Sequence, residues 1–148
     1  MKAEIAVLDI QGTHRIYTEL HRAKTPAGTI LLVNGSLSTL ASFAQTTRYL
    51  QPHFNVVLFD LPYAGHSRRH NHHQRLLSRE DEADIIVGLV EHFRADHLLS
   101  FSWGGIASLK ALARRPRHVR KAAIYSFSPV INGAMLDYLE RGSKVLEI

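Results

Sequence analysis

The chain has 148 residues, 45% hydrophobic and 21% charged, with no cysteine. That is the balance of a soluble globular domain with one real core, and it excludes disulfides and thiolate metal sites. No apolar run approaches the ~20 residues needed to span a bilayer, and the formal charge of +5 favours anionic partners without choosing among nucleic acid, acidic proteins, phosphorylated cofactors and lipid headgroups.

The N-terminal MKAEIAVLDIQG carries acids early and has no small-residue cleavage site, so it is not expected to be a secretory signal. A cytoplasmic location is expected. Glu4 to Ile10 and His14 to Leu20 partly alternate apolar and polar residues around Gln11-Gly12-Thr13. This predicts an antiparallel hairpin with one wet face. Thr29 to Asn34, Asn55 to Asp60 and His97 to Phe101 are continuous apolar runs, with Lys121 to Phe127 a weaker fourth. Such runs suit strands of a parallel sheet buried on both faces.

Helical patterns fill the gaps. Thr39 to Leu50 separates the first two buried strands. Ser78 to Phe93 follows the second, with Ser78 as cap, Asp81 three positions on, and Ile85, Ile86, Leu89, Val90 and Phe93 on one apolar face. Trp103 to Arg114 is the third helix, stopped by Pro116. Strand-helix alternation of this kind predicts an α/β layered fold with right-handed crossovers. A last helical segment, NGAMLDYLERGSKVLEI, stops without a capping glycine, proline or polar tail, and reads as a chain cut short.

Ser102 falls at the carboxyl end of HLLSF, where ligand sites in open parallel sheets lie. A sharp strand-to-helix turn strains the nucleophile's backbone and needs small residues two positions before and after it. Here those are Ser100 and Gly104, giving Ser-x-Ser-x-Gly in place of the usual Gly-x-Ser-x-Gly. The helix start makes the Trp103 N–H an oxyanion donor. Asn34-Gly35 ends the first buried strand and makes the Ser36 N–H a candidate second donor. DLPYAGHS, Asp60 to Ser67, resembles the Asp-x-x-Gly-x-Gly-x-Ser loop of hydrolase folds with one glycine replaced. His66 in that loop is expected to be a structural hydrogen-bonder.

The segments EIAVLDIQG, HFNVVLFDLPYAGHSRRHN, SFSWGGIASL and SFSPVINGAMLDYLERG resemble the 3-hydroxyacyl-ACP:CoA transacylases (thioesterases) of polyhydroxyalkanoate synthesis. Close to these stand the 3-(3-hydroxyalkanoyloxy)alkanoate synthases of rhamnolipid synthesis. The resemblance covers essentially the whole chain and only the N-terminal half of such a protein. It implies an α/β-hydrolase fold: a mostly parallel sheet with an N-terminal antiparallel hairpin, truncated before its last strands. Residues 1–131 would form part of the core and 132–148 the start of a helical lid. It places the nucleophile on Ser102 and the oxyanion donors on the Trp103 and Ser36 N–H groups, supported by Asn34, Gly35, Ser100 and Gly104.

The resemblance further implies acyl carrier protein as partner and a 3-hydroxyacyl thioester as substrate. CoA and the carrier's phosphopantetheine thioester enter as substrates, with no bound cofactor and no nucleic acid. An ester-forming synthase, a generic esterase and a non-catalytic fragment are the alternative readings. In this fold the acid and histidine follow the nucleophile in the chain. The only Asp and His after Ser102 are Asp137 and His118, and neither is assigned to a triad. The 148 residues alone are therefore expected to be inactive, with the 121–127 strand as an open edge and the last helix showing an apolar face to water. Two basic stretches remain, Arg114 to Lys121 and Ser67 to Arg75. Arg68, Arg69 and Arg75 are the candidates for docking an acidic carrier. The HNHH run has no carboxylate or cysteine beside it, and no metal is expected.

Overall fold

The computed structural model describes residues 2–72, 75–128, 130 and 132–146. His73 of the histidine-rich run, the expected boundary at residue 131 and the chain end at 147–148 lie outside these. Six strands form one sheet: β1 Glu4–Ile10, β2 His14–His21, β3 Thr29–Val33, β4 Asn55–Phe59, β5 His97–Phe101 and β6 Lys121–Tyr125. Four α-helices accompany it: α1 Ala44–Leu50, α2 Arg79–Phe93, α3 Gly104–Ala113 and α4 Gly133–Leu146.

The strand order is β1-β2-β4-β3-β5-β6. β1 and β2 pair antiparallel, β2 meets β4 antiparallel, and the remaining pairs are parallel. The expected mixed sheet with an N-terminal hairpin is what the chain builds. Its central strands read as continuous apolar runs because each faces two cores. Leu31, Val33, Val57 and Phe59 point to one side, against Ile85, Ile86 and Leu89 of α2 and Ala107 and Ala111 of α3. Ile30, Leu32, Val56 and Leu58 point to the other, against Leu40 and Phe43. The period of two along each strand thus serves both faces.

Helix α2 starts as its sequence predicts. Ser78 accepts from the Asp81 N–H at 3.1 Å, and Asp81 Oδ2 accepts from the Ser78 N–H at 2.9 Å. That reciprocal cap satisfies two donors that the helix cannot. Asp81 is held below the usual carboxylate range by its bonds to Ser78 first and by Arg75.

Two elements differ from expectation. The helix foreseen over 39–50 begins as a 3-10 turn, Leu40–Phe43, before α1. The cause is Asp60, whose Oδ1 accepts the Leu40 N–H at 2.8 Å and so fixes the entry of the segment. The loop foreseen around residues 65–70 is also a 3-10 helix, Gly65–His70. Asp60 again directs it, accepting the His66 N–H at 2.8 Å, and Ser67 Oγ donates to the Asp60 carbonyl at 2.7 Å. Gly65 has φ +44°, and a Cβ there would sit 2.1 Å from Asp60 Oδ2. The hydrolase-like loop keeps this one glycine because the buried carboxylate lies against it.

β6 ends the described sheet and is largely exposed. Val130, Tyr138 and Val145 are about 70% exposed (68%, 72% and 69%). No helix of the described residues is long and apolar enough to cross a membrane.

Candidate active site

β5 ends at Phe101 and α3 begins at Gly104, so two residues make the whole turn. Ser102 adopts φ +53°, a conformation costing a non-glycine residue of order 1–3 kcal/mol. The surroundings hold it there. The Ser102 N–H donates to the Tyr125 carbonyl at 3.0 Å, and the Gly105 N–H donates to the Ser102 carbonyl at 3.0 Å. The strain is therefore fixed by β6 on one side and the first turn of α3 on the other.

The small residues around Ser102 have separate reasons. A Cβ on Gly104 would lie 2.2 Å from the Asn34 carbonyl oxygen. Any side chain there would push the elbow away from the end of β3. Ser100 is fully buried, and its hydroxyl shares a hydrogen bond with the Ser108 hydroxyl of α3. The departure from glycine at this position is thus satisfied by a partner one helix away, and it ties strand to helix.

Sheet register brings the second loop to the elbow. Val33 pairs with Ser100, so two residues further on Gly35 comes beside Ser102. A Cβ on Gly35 would lie 3.2 Å from the Ser102 Cβ. Asn34 Oδ1 accepts from Ser42 Oγ at 2.7 Å, which braces the turn from the 3-10 segment. Leu37 follows with φ +57° and 92% exposure.

Ser36, Leu37, Ser102 and Trp103 line an open cavity of about 560 Å³, bordered on its far side by Met135, Tyr138 and Leu139 of α4. Neither the Ser36 nor the Trp103 backbone N–H has an acceptor among the described residues. A strained serine, two unpaired backbone donors and a mainly apolar cavity therefore share one wall. Unpaired N–H groups that converge on one oxygen can stabilise an oxyanion.

A strained serine between a parallel strand and a helix, at the carboxyl edge of such a sheet, is the arrangement of one fold family, and the family profile described as the alpha/beta hydrolase fold matches residues 28–138. The chain belongs to the α/β-hydrolase fold family. Among solved α/β structures, a hydrolase from Pseudomonas aeruginosa superposes with TM-score 0.77 at 20% identity, over 98% of this chain and 54% of that one. A membrane phospholipase A superposes with TM-score 0.78 at 23% identity, over 95% and 46%. These agree on the fold. In sequence, the chain is 61% identical to the (R)-3-hydroxydecanoyl-ACP:CoA transacylase of Pseudomonas putida, over 99% of this chain and 50% of that protein. It is 56% identical to the transacylase of the same name from Pseudomonas aeruginosa, over 96% and 47%. The chain thus spans about half the length of the curated relatives it matches.

The remaining candidates of this α/β-hydrolase chain fall in three places. His66 turns its ring to Asp60, Nδ1 3.3 Å from Oδ2, and stacks on Tyr17 at 4.6 Å, away from Ser102. His118 lies 3.4 Å from Glu91 in a cleft at the starts of β3 and β5, the opposite end of the strands. Asp137 on α4 pairs with Arg141 at 3.0 Å. Among the described residues, no histidine is hydrogen-bonded to Ser102. Arg68 and Arg69 are exposed on the 3-10 helix after β4, at the same sheet edge as Ser102. Arg75 is already paired with Asp81 at 2.6 Å. None of the three lines the cavity above Ser102.

Sequence reasoning missed Arg79 and Glu82. Both read as ordinary first-turn residues of α2, and both approach the elbow. Arg79 lies over the Trp103 ring, 5.5 Å from its centroid. The aromatic residue directly after Ser102 was the available signal.

Proposed function

We propose that this protein transfers 3-hydroxyacyl groups from acyl carrier protein to CoA through a covalent ester on Ser102. Two things support the reading together: the strained Ser102 beside two unpaired N–H groups, and high identity to proteins named (R)-3-hydroxydecanoyl-ACP:CoA transacylase. The serine geometry is the observation that carries it.

In the first half-reaction Ser102 Oγ attacks the thioester carbonyl carbon. A general base takes the hydroxyl proton, and the Trp103 and Ser36 N–H groups hold the developing oxyanion. The C–S bond breaks, the carrier thiol leaves with the proton, and an acyl ester remains on Ser102. In the second half the CoA thiol attacks that ester and regenerates the hydroxyl. The acid and base of the triad are not among the described residues, so the 148 residues by themselves are proposed to be inactive. Helix α4 is proposed as the start of the lid, because Met135, Tyr138 and Leu139 give the cavity its apolar ceiling. The acyl chain would lie under that ceiling.

The test is acyl-enzyme formation in the intact protein with 3-hydroxydecanoyl-ACP, read by intact mass. The wild type should gain one 3-hydroxydecanoyl group, and added CoA should discharge it as the CoA thioester. Ser102→Ala should gain none. An adduct that persists on Ser102→Ala would remove the serine from its role. Discharge only to water, or to a second hydroxyacyl chain, would replace CoA as the acceptor.

A further inference from the structure

Arg79 opens α2 with its guanidinium over the Trp103 ring, 5.5 Å from the centroid. The same side chain is anchored from behind. Its Nη1 donates to both Glu82 carboxylate oxygens at 2.7 Å each. Glu82 is only 8% exposed, and a buried carboxylate without a cation is strongly disfavoured. Glu82 is thus the fixed end of the pair, while the Arg79 side chain stays 36% exposed as it reaches the ring. A cation held over an indole face is attracted by the ring quadrupole, most strongly where water is partly excluded.

Position gives the clamp its consequence. Arg79, Glu82 and Tyr63 line a second cavity of about 320 Å³. That cavity and the one above Ser102 share Gly35, Ser36, Leu37, Ser38 and Trp103 as lining. Trp103 and the Gly35–Ser38 loop therefore form the partition between two empty spaces, and neither cavity supplies packing to hold the partition still. Trp103 has no side-chain cap of its own at the start of α3. Arg79 is the charged group that closes on its ring.

We propose that Arg79, anchored by Glu82, is a positioning residue that fixes the Trp103 indole and thereby the direction of the Trp103 N–H beside Ser102. The catalytic part of this rests on the acyl-transfer reading above; the clamp itself does not. Arg79 touches neither Ser102 nor the space above it, and acts through Trp103 alone.

Trp103 is the single tryptophan of these 148 residues, so with any tryptophan outside them replaced by phenylalanine its fluorescence reports the clamp directly. In the intact protein Arg79→Ala should roughly double the acrylamide quenching of Trp103 while far-UV circular dichroism stays unchanged. Glu82→Gln should also raise quenching, because Arg79 loses its anchor. Arg79→Lys keeps a cation over the ring and should restore most of the protection. In the transfer assay Arg79→Ala should lower kcat about tenfold with KM little changed, since a misdirected oxyanion donor acts on the transition state. Arg79→Lys should recover most of that loss. If Arg79→Ala fails to fold, the opposite responses of Arg79→Lys and Glu82→Gln decide the matter. Unchanged quenching in the Arg79→Ala or Glu82→Gln variant would overturn the clamp. A loss seen in KM alone, or no loss despite looser Trp103, would overturn its positioning role. A wild type without transfer activity would sink the acyl-transfer reading, while the quenching series would still judge the clamp.

Discussion

At Gly104 the tightest contact of the candidate site is a backbone one, because an added Cβ would sit 2.2 Å from the Asn34 carbonyl oxygen. Backbone cannot rotate away as a side chain can. Gly104→Ala should therefore destabilise the fold by about 1–3 kcal/mol, read as a lower urea midpoint. Gly142 on α4 is the contrast, with nothing within 4 Å of an added Cβ. Gly142→Ala should stabilise by up to about 1 kcal/mol, the ordinary gain of alanine over glycine in a helix. Equal midpoints for the two variants would contradict the packing account. At this scale Ser102 was legible in the sequence, because a strand-serine-glycine-helix turn is a local pattern. The tolerance of serine at position 100 was not. It depends on Ser108 of α3 arriving opposite it, and that is settled only by how α3 lies against β5. Arg79 was hidden for the same reason, since nothing along the chain shows that α2 starts beside the elbow.

Among the elements, β2 carries a titratable group at its first position that bears on pH. His14 is 4% exposed, edge-on to Tyr63, with Nε2 3.4 Å from Arg75 Nη2. Burial pushes its pKa below the usual 6.5, and the Arg75 charge lowers it further, against a smaller opposing pull from Asp81. The unfolded chain then binds the proton more readily than the folded one. The contribution of His14 is complete above the ordinary histidine value. It is lost as pH falls from there through the depressed folded value. Urea midpoints should fall between pH 7.5 and pH 5.5, and His14→Gln should flatten that slope. An equally steep slope in the variant would assign the effect elsewhere. Strands and helices were the most legible part of the molecule, since the two-faced burial of β3, β4 and β5 leaves continuous apolar runs. The two 3-10 segments were not, because both are imposed by one carboxylate, Asp60, that is distant in sequence from Leu40.

Across the whole molecule, the parallel strands put their carboxyl ends on one edge, and both the elbow and the Arg68–Arg69 segment lie on it. The segment after β4 packs on β2, where Ser67 Oγ accepts the Tyr17 N–H, and β2 stands three strand positions from β5 in the sheet. We propose that these exposed arginines meet the acidic surface of the carrier. Exposed charges act mainly on association rate and are screened within about 10 Å at ordinary salt. Arg68→Glu with Arg69→Glu should lower kcat/KM for the carrier thioester and leave a short neutral thioester unaffected. Raising salt should slow the wild type with the carrier alone. Equal losses on both substrates would move the arginines into the fold or pocket, and no loss on either would return them to solvent. Fold family was legible at this scale because three loop motifs follow one another in the right order. The one histidine after Ser102 is His118, and the structure places it at the opposite end of the strands beside Glu91.

The Asp60 carboxylate has a meaning for anyone who recombines this chain with its relatives. It joins the segment after β3, through Leu40, to the segment after β4, through His66, and it leaves room only for glycine at 65. The two donors are backbone N–H groups that any residue but proline supplies, so the pairing that a crossover must keep together as a block is Asp60 with Gly65. Crossovers before Thr29 or within α2 leave the block whole and exchange the Gly35–Ser38 loop together with the segment that holds it.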